Sequence, residues 1–201
     1  MYGGVFVTFE GIDGAGKTTQ LQLLAEYLIS QGREVVATRE PGGTELGEGI
    51  RELVLHGVGM TPWAEAALYA AARAELVSEV ILPALDRGAD VISDRYVDSS
   101  LAYQGTARGL GLDRVLELNL AAVSGLLPEK TFLLAVDPET AAKRASSKPD
   151  RIEREGVEFM TRVEEAYREL AQIFANRVVV LDAKKPPHAL ALEVREHLGL
   201  S

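Results

Sequence analysis

Residues Gly11-Ile12-Asp13-Gly14-Ala15-Gly16-Lys17-Thr18 fit the pattern G-x-x-x-x-G-K-[ST] at every fixed position. The flanking sequence has the form this pattern requires. The apolar, β-branched run Val5–Phe9 comes before it and predicts a buried strand, and Leu21, Leu24, Ala25 and Leu28 follow at helical spacing. The glycines let the backbone curl so that several N–H groups converge on phosphate oxygens. The next helix adds its unpaired N–H groups and the positive end of its dipole. Lys17 offers a mobile charge to the β- and γ-phosphates, and the Thr18 hydroxyl offers a ligand to Mg²⁺. Gly11 through Lys17, with Thr18 and Thr19, are therefore the expected nucleoside triphosphate site. The motif alone does not choose among kinase, GTPase and ATPase.

The rest of the chain alternates short apolar runs with longer helical patterns. Val35–Thr38, Val91–Ser93, Thr131–Val136 and Val178–Leu181 read as further strands. Thr61-Pro62 reads as a helix start, opening an Ala-rich helix to about Arg87, with a break at Pro83 and a stop at Gly88. Leu112–Val123 is helical, Met160, Val163, Tyr167, Leu170 and Phe174 form a buried helical stripe, and Leu190, Val194 and Leu198 line a last helix. Near-continuous apolar strands between helices predict a five-stranded parallel sheet covered on both faces, a three-layer α/β sandwich. Ligands in such sheets bind beyond the C-terminal strand ends, where Glu10–Thr18, Arg39–Thr44 and Asp94–Gln104 all fall. No linker divides the 201 residues, so a single domain is expected.

Composition narrows the chemistry. Cysteine is absent and the three histidines are scattered, which excludes disulfides, a cysteine nucleophile and Cys-based metal sites. The net charge of −9 argues against nucleic acid as a partner. No run of about 18 apolar residues suggests a membrane span, and no signal-peptide pattern opens the chain. A cytoplasmic location is the expectation.

Asp94-Arg95-Tyr96 closes the third strand. An acid there can hold Mg²⁺ beside a phosphate loop, and Arg95 can clamp a phosphate bidentately. Ser99 and Tyr103 share a helix face, with Ser100 and Gln104 beside them, placing polar groups where a base or sugar can be bound. Tyr69 and Arg73, also four apart, offer a ring to stack on a base and a guanidinium for its carbonyl edge. The charged stretch 144–155 reads either as a solvated loop or as a lid that brings an Arg over the transferring phosphate and excludes water.

Taken together, these stretches resemble the bacterial thymidylate kinases. The resemblance runs through Phe9–Thr19, Thr38-Arg39-Glu40-Pro41-Gly42-Gly43-Thr44, Asp94-Arg95-Tyr96 with Ser99 and Ala102-Tyr103-Gln104-Gly105, and Asp150-Arg151-Ile152-Glu153. It implies a P-loop nucleoside monophosphate kinase fold with a lid, a homodimer, Mg²⁺, ATP as donor and dTMP as acceptor. It implies that Asp13 binds the sugar 3′-hydroxyl, that Lys17 and Thr18 serve ATP and magnesium together with Asp94, and that Arg95 holds the acceptor phosphate with Arg39 nearby. Tyr69 stacks on thymine and Arg73 reaches its carbonyl. Ser99, Ser100 and Gln104 lie near the nucleoside, and Tyr103 crowds the sugar 2′ position. Some relatives carry an Arg inside the phosphate loop, where this chain has Ala15. The resemblance then places the catalytic Arg in the lid, among Arg144, Lys148, Arg151 and Arg154, with Arg151 the first choice. Two rival readings stand beside this one. A deoxynucleoside kinase would need a base such as Glu10, and a regulatory GTPase would need an N-K-x-D motif, which Asn119-Leu120 does not supply.

Overall fold

A computed structural model describes residues 3–144 and 150–200. Its centre is a parallel sheet of five strands in the order β2-β3-β1-β4-β5. The strands are β1 (Phe6–Glu10), β2 (Val35–Arg39), β3 (Asp90–Asp94), β4 (Lys130–Ala135) and β5 (Val178–Asp182). β1 is buried along its whole length because helices cover both sheet faces, which explains why its sequence is apolar rather than alternating. Phe9 stacks on Phe132 of β4 with ring centroids 5.5 Å apart, and both are fully buried. Truncating either ring would cost about 3–5 kcal/mol.

The winding order positions the site. From β1 the chain crosses through α1 (Lys17–Ser30) to the edge strand β2, returns to place β3 between them, and then passes to the other side of β1 for β4. This leaves a crevice beyond the C-terminal ends of β1 and β3. The registers Phe9↔Asp94 and Arg39↔Asp94 bring the three signature segments to one level.

The structure adds helices that the sequence analysis passed over, α7 (Pro138–Arg144) and the longer α2 (Glu45–His56). The glycines of α2 and the exposed Leu46 and Leu53 blur the apolar stripe, yet the start signal is present: Thr44 caps it by accepting the Gly47 N–H at 2.9 Å. The long Ala-rich helix is three pieces: α3 (Pro62–Leu76), a π-helical turn (Val77–Ile81) and α4 (Leu82–Asp86). Pro83 lacks an N–H and crowds the carbonyl four residues back, so the wider turn falls just before it. α5 (Val97–Ser100) runs into a second π-helical segment, Leu101–Ala107. It is followed by α6 (Leu112–Ala122), α7 (Pro138–Arg144), α8 (Val157–Ile173) and α9 (Pro187–His197). No described helix is long and apolar enough to cross a membrane.

Candidate active site

The phosphate loop joins β1 to α1. Gly14 sits at φ 84°, where a Cβ would lie 2.2 Å from the Ala141 carbonyl, so the loop fits against α7 only with glycine there. Gly11, at φ 133°, approaches the Leu134 carbonyl in the same way. Asp13 through Thr19 line a large hollow, which Gly11 and Ile12 do not border. Lys17 is buried, and its Nζ donates to the Ile12 carbonyl at 3.1 Å and to Asp13 Oδ1 at 3.3 Å.

Arg95 reaches the same carboxylate from β3, its Nη2 donating to Asp13 Oδ1 at 2.8 Å. Burial alone would raise the Asp13 carboxyl, but the charges of Arg95 and Lys17 overcome it and hold the group well below the usual carboxylate range. The two cations therefore stand on either side of one anion at the mouth of the loop. The Thr18 hydroxyl donates to Asp94 Oδ2 at 2.8 Å. Hydroxyl and carboxylate oxygens are the donors a hard divalent cation takes, and Mg²⁺ needs few from the protein when phosphates supply the rest. This pair fits such an ion. No cluster of three or more acidic or imidazole groups suited to a metal occurs among the described residues.

Two hollows open from this centre. The larger, about 1300 Å³, runs from the phosphate loop to the Ala183–Pro187 segment and Leu190. The smaller, about 510 Å³, is walled by Tyr69, Ser99, Ser100, Tyr103 and Gln104. Six residues border both: Asp13, Gly14, Glu40, Arg51, Arg95 and Arg144.

The wall of the smaller hollow is set from behind by two buried ionic hubs. Arg73 is 1% exposed and held by four neighbours. Nε donates to Glu40 Oε2 at 2.7 Å, Nη2 forms an ion pair with the same oxygen and donates to the Tyr96 carbonyl, and Nη1 donates to Ser100 Oγ and Asn119 Oδ1. Burial raises the Glu40 carboxyl, with the Arg73 charge opposing. Arg73, expected to reach a base carbonyl, lines neither hollow. It is locked behind Ser100, whose hydroxyl takes its place at the surface. The second hub is Glu65, also 1% exposed, which accepts from Gln104 Nε2 at 2.9 Å, from Arg108 and from Arg151. A carboxylate only accepts, so Glu65 fixes the amide orientation and leaves the Gln104 oxygen for a ligand.

Arg151 also departs from expectation. Its Nη2 donates to Glu65 Oε2 at 2.6 Å and its Nε to the Val54 carbonyl at 2.7 Å, and it lines neither hollow. Arg144, at the other end of the lid segment, lines both hollows while its Nη1 donates to the Ala183 carbonyl at 2.9 Å. Lys148 lies outside the described residues, and Arg154 is exposed beside Glu153 in the short helical turn Glu153–Glu155. Arg39 faces the larger hollow only, with its Nη2 donating to Glu48 Oε1 at 3.1 Å. The Tyr103 hydroxyl is buried with no hydrogen-bond partner among the described residues, and the Arg95 guanidinium stands 5.4 Å from its ring centroid.

Sequence reasoning missed Arg51, which borders both hollows and donates to the Pro41 carbonyl at 2.9 Å. It lies on α2, a helix not anticipated. Glu10, offered above as a base in a rival reading, is fully buried, lines neither hollow and accepts three hydrogen bonds from Tyr96, Ser99 and Tyr167.

Comparison with known proteins converges on one group. The family model for thymidylate kinase matches residues 9–194. A thymidylate kinase of Leifsonia xyli is 52% identical over 196 residues, covering 96% of this chain and 93% of that protein. One from Bifidobacterium longum is 49% identical over 192 residues, covering 93% of each. The crystal structure of thymidylate kinase from Ehrlichia chaffeensis superposes with a TM-score of 0.80 at 36% identity, covering 97% of this chain and 98% of that one. From its phosphate loop to its last helix, this chain belongs to the thymidylate kinase family.

Proposed function

We propose that the protein transfers the γ-phosphoryl group of ATP to dTMP, giving ADP and dTDP. The observation that carries this reading is the shared border of the two hollows. One hollow begins in a phosphate loop, the other ends in a wall of neutral polar groups, and Arg51, Arg95 and Arg144 stand where they meet. Two nucleotides placed end to end would bring their phosphates to that border. The smaller hollow suits thymine: Ser100 can donate to a ring carbonyl, the Gln104 oxygen can accept the ring N–H, and Tyr69 offers a face for stacking. The bulk of Tyr103 crowds a 2′-hydroxyl. Asp13 accepts from the sugar 3′-hydroxyl.

In this reading an acceptor phosphate oxygen forms a bond to the γ-phosphorus as the bond to the β-bridging oxygen breaks. The acceptor is already an oxyanion near neutral pH, so no base is required, and catalysis is positioning plus charge neutralisation. Lys17 holds the donor phosphates, Arg95 the acceptor phosphate, and Arg144 neutralises charge on the transferring group. Magnesium, held by Thr18 and Asp94, would supply further neutralisation of the donor phosphates. The burial of Glu10 away from both hollows argues against a nucleoside as acceptor, since a 5′-hydroxyl would need a base. The exposed Leu46, Leu53, Val58 and Trp63 on and near α2 and α3 support a homodimer in this reading, checked by light scattering.

The deciding experiment is ADP release with ATP and a panel of nucleosides and monophosphates. Turnover is expected with dTMP and far less with thymidine or with ribonucleotides. Turnover with thymidine and none with dTMP would overturn the reading.

A further inference from the structure

Glu10 ends β1, one residue before the phosphate loop, and both of its carboxylate oxygens are engaged. Oε1 accepts the Tyr96 N–H at 2.7 Å, and Oε2 accepts from Ser99 Oγ at 2.6 Å and from the Tyr167 hydroxyl at 2.8 Å. Every one of these donors is tied to Arg95. The Tyr96 N–H belongs to the peptide that follows Arg95. Ser99 Oγ and the Tyr167 hydroxyl lie 3.1 and 3.3 Å from Arg95 Nη1.

Arg95 itself has φ 75°, a left-handed conformation that a non-glycine residue keeps only where its surroundings impose it. Three hydrogen bonds do so here. The Arg95 N–H donates to the Phe9 carbonyl at 2.9 Å, Ser93 Oγ donates to the Arg95 carbonyl at 2.8 Å, and Glu10 takes the next N–H. The turn aims the guanidinium back at Asp13, on the border between the hollows.

The geometry points to Glu10 as the positioning residue of Arg95, holding its backbone through Tyr96 and its guanidinium through Ser99 and Tyr167. This rests on the reading of Arg95 as the holder of the acceptor phosphate. A carboxylate with no face on either hollow influences the reaction only through what it holds. It is also a costly group to place there. Burial first, and then the Asp98 carboxylate, push its ionisation up to about 7, against the pull of Arg95, Ser99 and Tyr167.

Steady-state kinetics on Glu10→Gln, Arg95→Ala and the double variant test the assignment. Glu10→Gln is expected to raise the dTMP KM about tenfold or more while the ATP KM stays within about twofold. In the Arg95→Ala background the same change should add less than about twofold, because the residue it positions is gone. An equal rise in both KM values, or the full cost in the Arg95→Ala background, would mean a general structural role and overturn the proposal. If Glu10→Gln does not fold, Tyr167→Phe carries the same cycle, with an expected rise of about threefold in the dTMP KM. A raised dTMP KM in Arg95→Ala with none in Glu10→Gln or Tyr167→Phe defeats this proposal alone. An unchanged dTMP KM in Arg95→Ala defeats the acceptor reading and this proposal with it.

Discussion

The two hollows are built on opposite plans. The larger takes one wall from a continuous stretch, Asp13 through Thr19, whose backbone N–H groups and helix end are the proposed phosphate binders. The smaller is assembled from side chains of α3, the segment after β3 and residues 150–153, several of them held by buried carboxylates. Glu40 holds Arg73 and, through it, Ser100; Glu65 holds Gln104 and Arg151; Glu10 holds the neighbourhood of Arg95. A triphosphate needs only a cradle of generic donors, whereas a base must be read by a few groups pointing in fixed directions. Fixing those directions takes a second set of residues, of which Glu65 and Glu10 line neither hollow. Damage to the first plan should therefore strike turnover with stability spared, and damage to the second should strike acceptor affinity and stability together.

Lys17→Ala gives the largest contrast. About a thousandfold loss of kcat is expected with an unchanged unfolding midpoint, and retained turnover would remove Lys17 from the reaction. The two ends of the lid segment sharpen the comparison next. Arg144→Ala should lower kcat about a hundredfold. Arg151→Ala should lower it less than about tenfold but destabilise the fold by about 3 kcal/mol, because it leaves Glu65 short of a buried partner. Single-turnover kinetics with urea unfolding on both variants would show whether the roles are reversed. Glu65→Gln, which weakens the hub without emptying it, should cost about 2 kcal/mol in urea unfolding and raise the dTMP KM with little change for ATP.

The buried carboxylate of Glu10 gives a pH test. Its ionisation rises from an ordinary 4.5 to about 7 in the fold, so the folded state holds the proton more tightly than the unfolded chain. The contribution of this group is full below 4.5 and is lost as pH rises through 7. Replacing Glu10 by Gln should shrink the fall in unfolding free energy between about pH 5 and pH 8 by about 1–3 kcal/mol. Arg177, paired with Asp98 nearby, is held above its ordinary guanidinium range and far from that window. The smallest effect concerns Tyr103. Phe there should leave the preference for deoxyribonucleotides within about twofold, and Ala should relax it about tenfold. Equal loss in both variants would assign discrimination to the hydroxyl rather than to the ring.

The same contrast explains what the sequence made legible. The strands were readable because a doubly covered parallel sheet writes its strands as short apolar runs, as in Phe6–Glu10 and Lys130–Ala135. The phosphate loop was readable because its function lies in consecutive residues. The residues Tyr69, Ser100, Tyr103 and Gln104 could be named from local spacing and resemblance, and they do share one wall. The partners behind that wall could not. Glu65 and Arg151 are 86 residues apart, and Glu40 and Arg73 are 33 apart, so no local pattern links them. The spacing of Tyr69 and Arg73 suggests a contact to a base edge, and the resemblance puts Arg151 over the transferring phosphate, but both bond to buried carboxylates that periodicity does not reveal. Arg51 was missed with its helix, whose glycines interrupt the apolar stripe.

The winding of the sheet has a consequence for how such a protein can change. Because β3 returns between β2 and β1 while β4 starts on the far side, the cradle lies on the strand at which the chain reverses direction, and the base-reading wall hangs from segments on one flank. The two are separate modules that share a frontier of only six residues. Substitution along the wall can therefore retune which acceptor is admitted and leave the energy-donating module in working order. The frontier itself, where Asp13 and Arg95 grip each other, is the one place where a change must satisfy both.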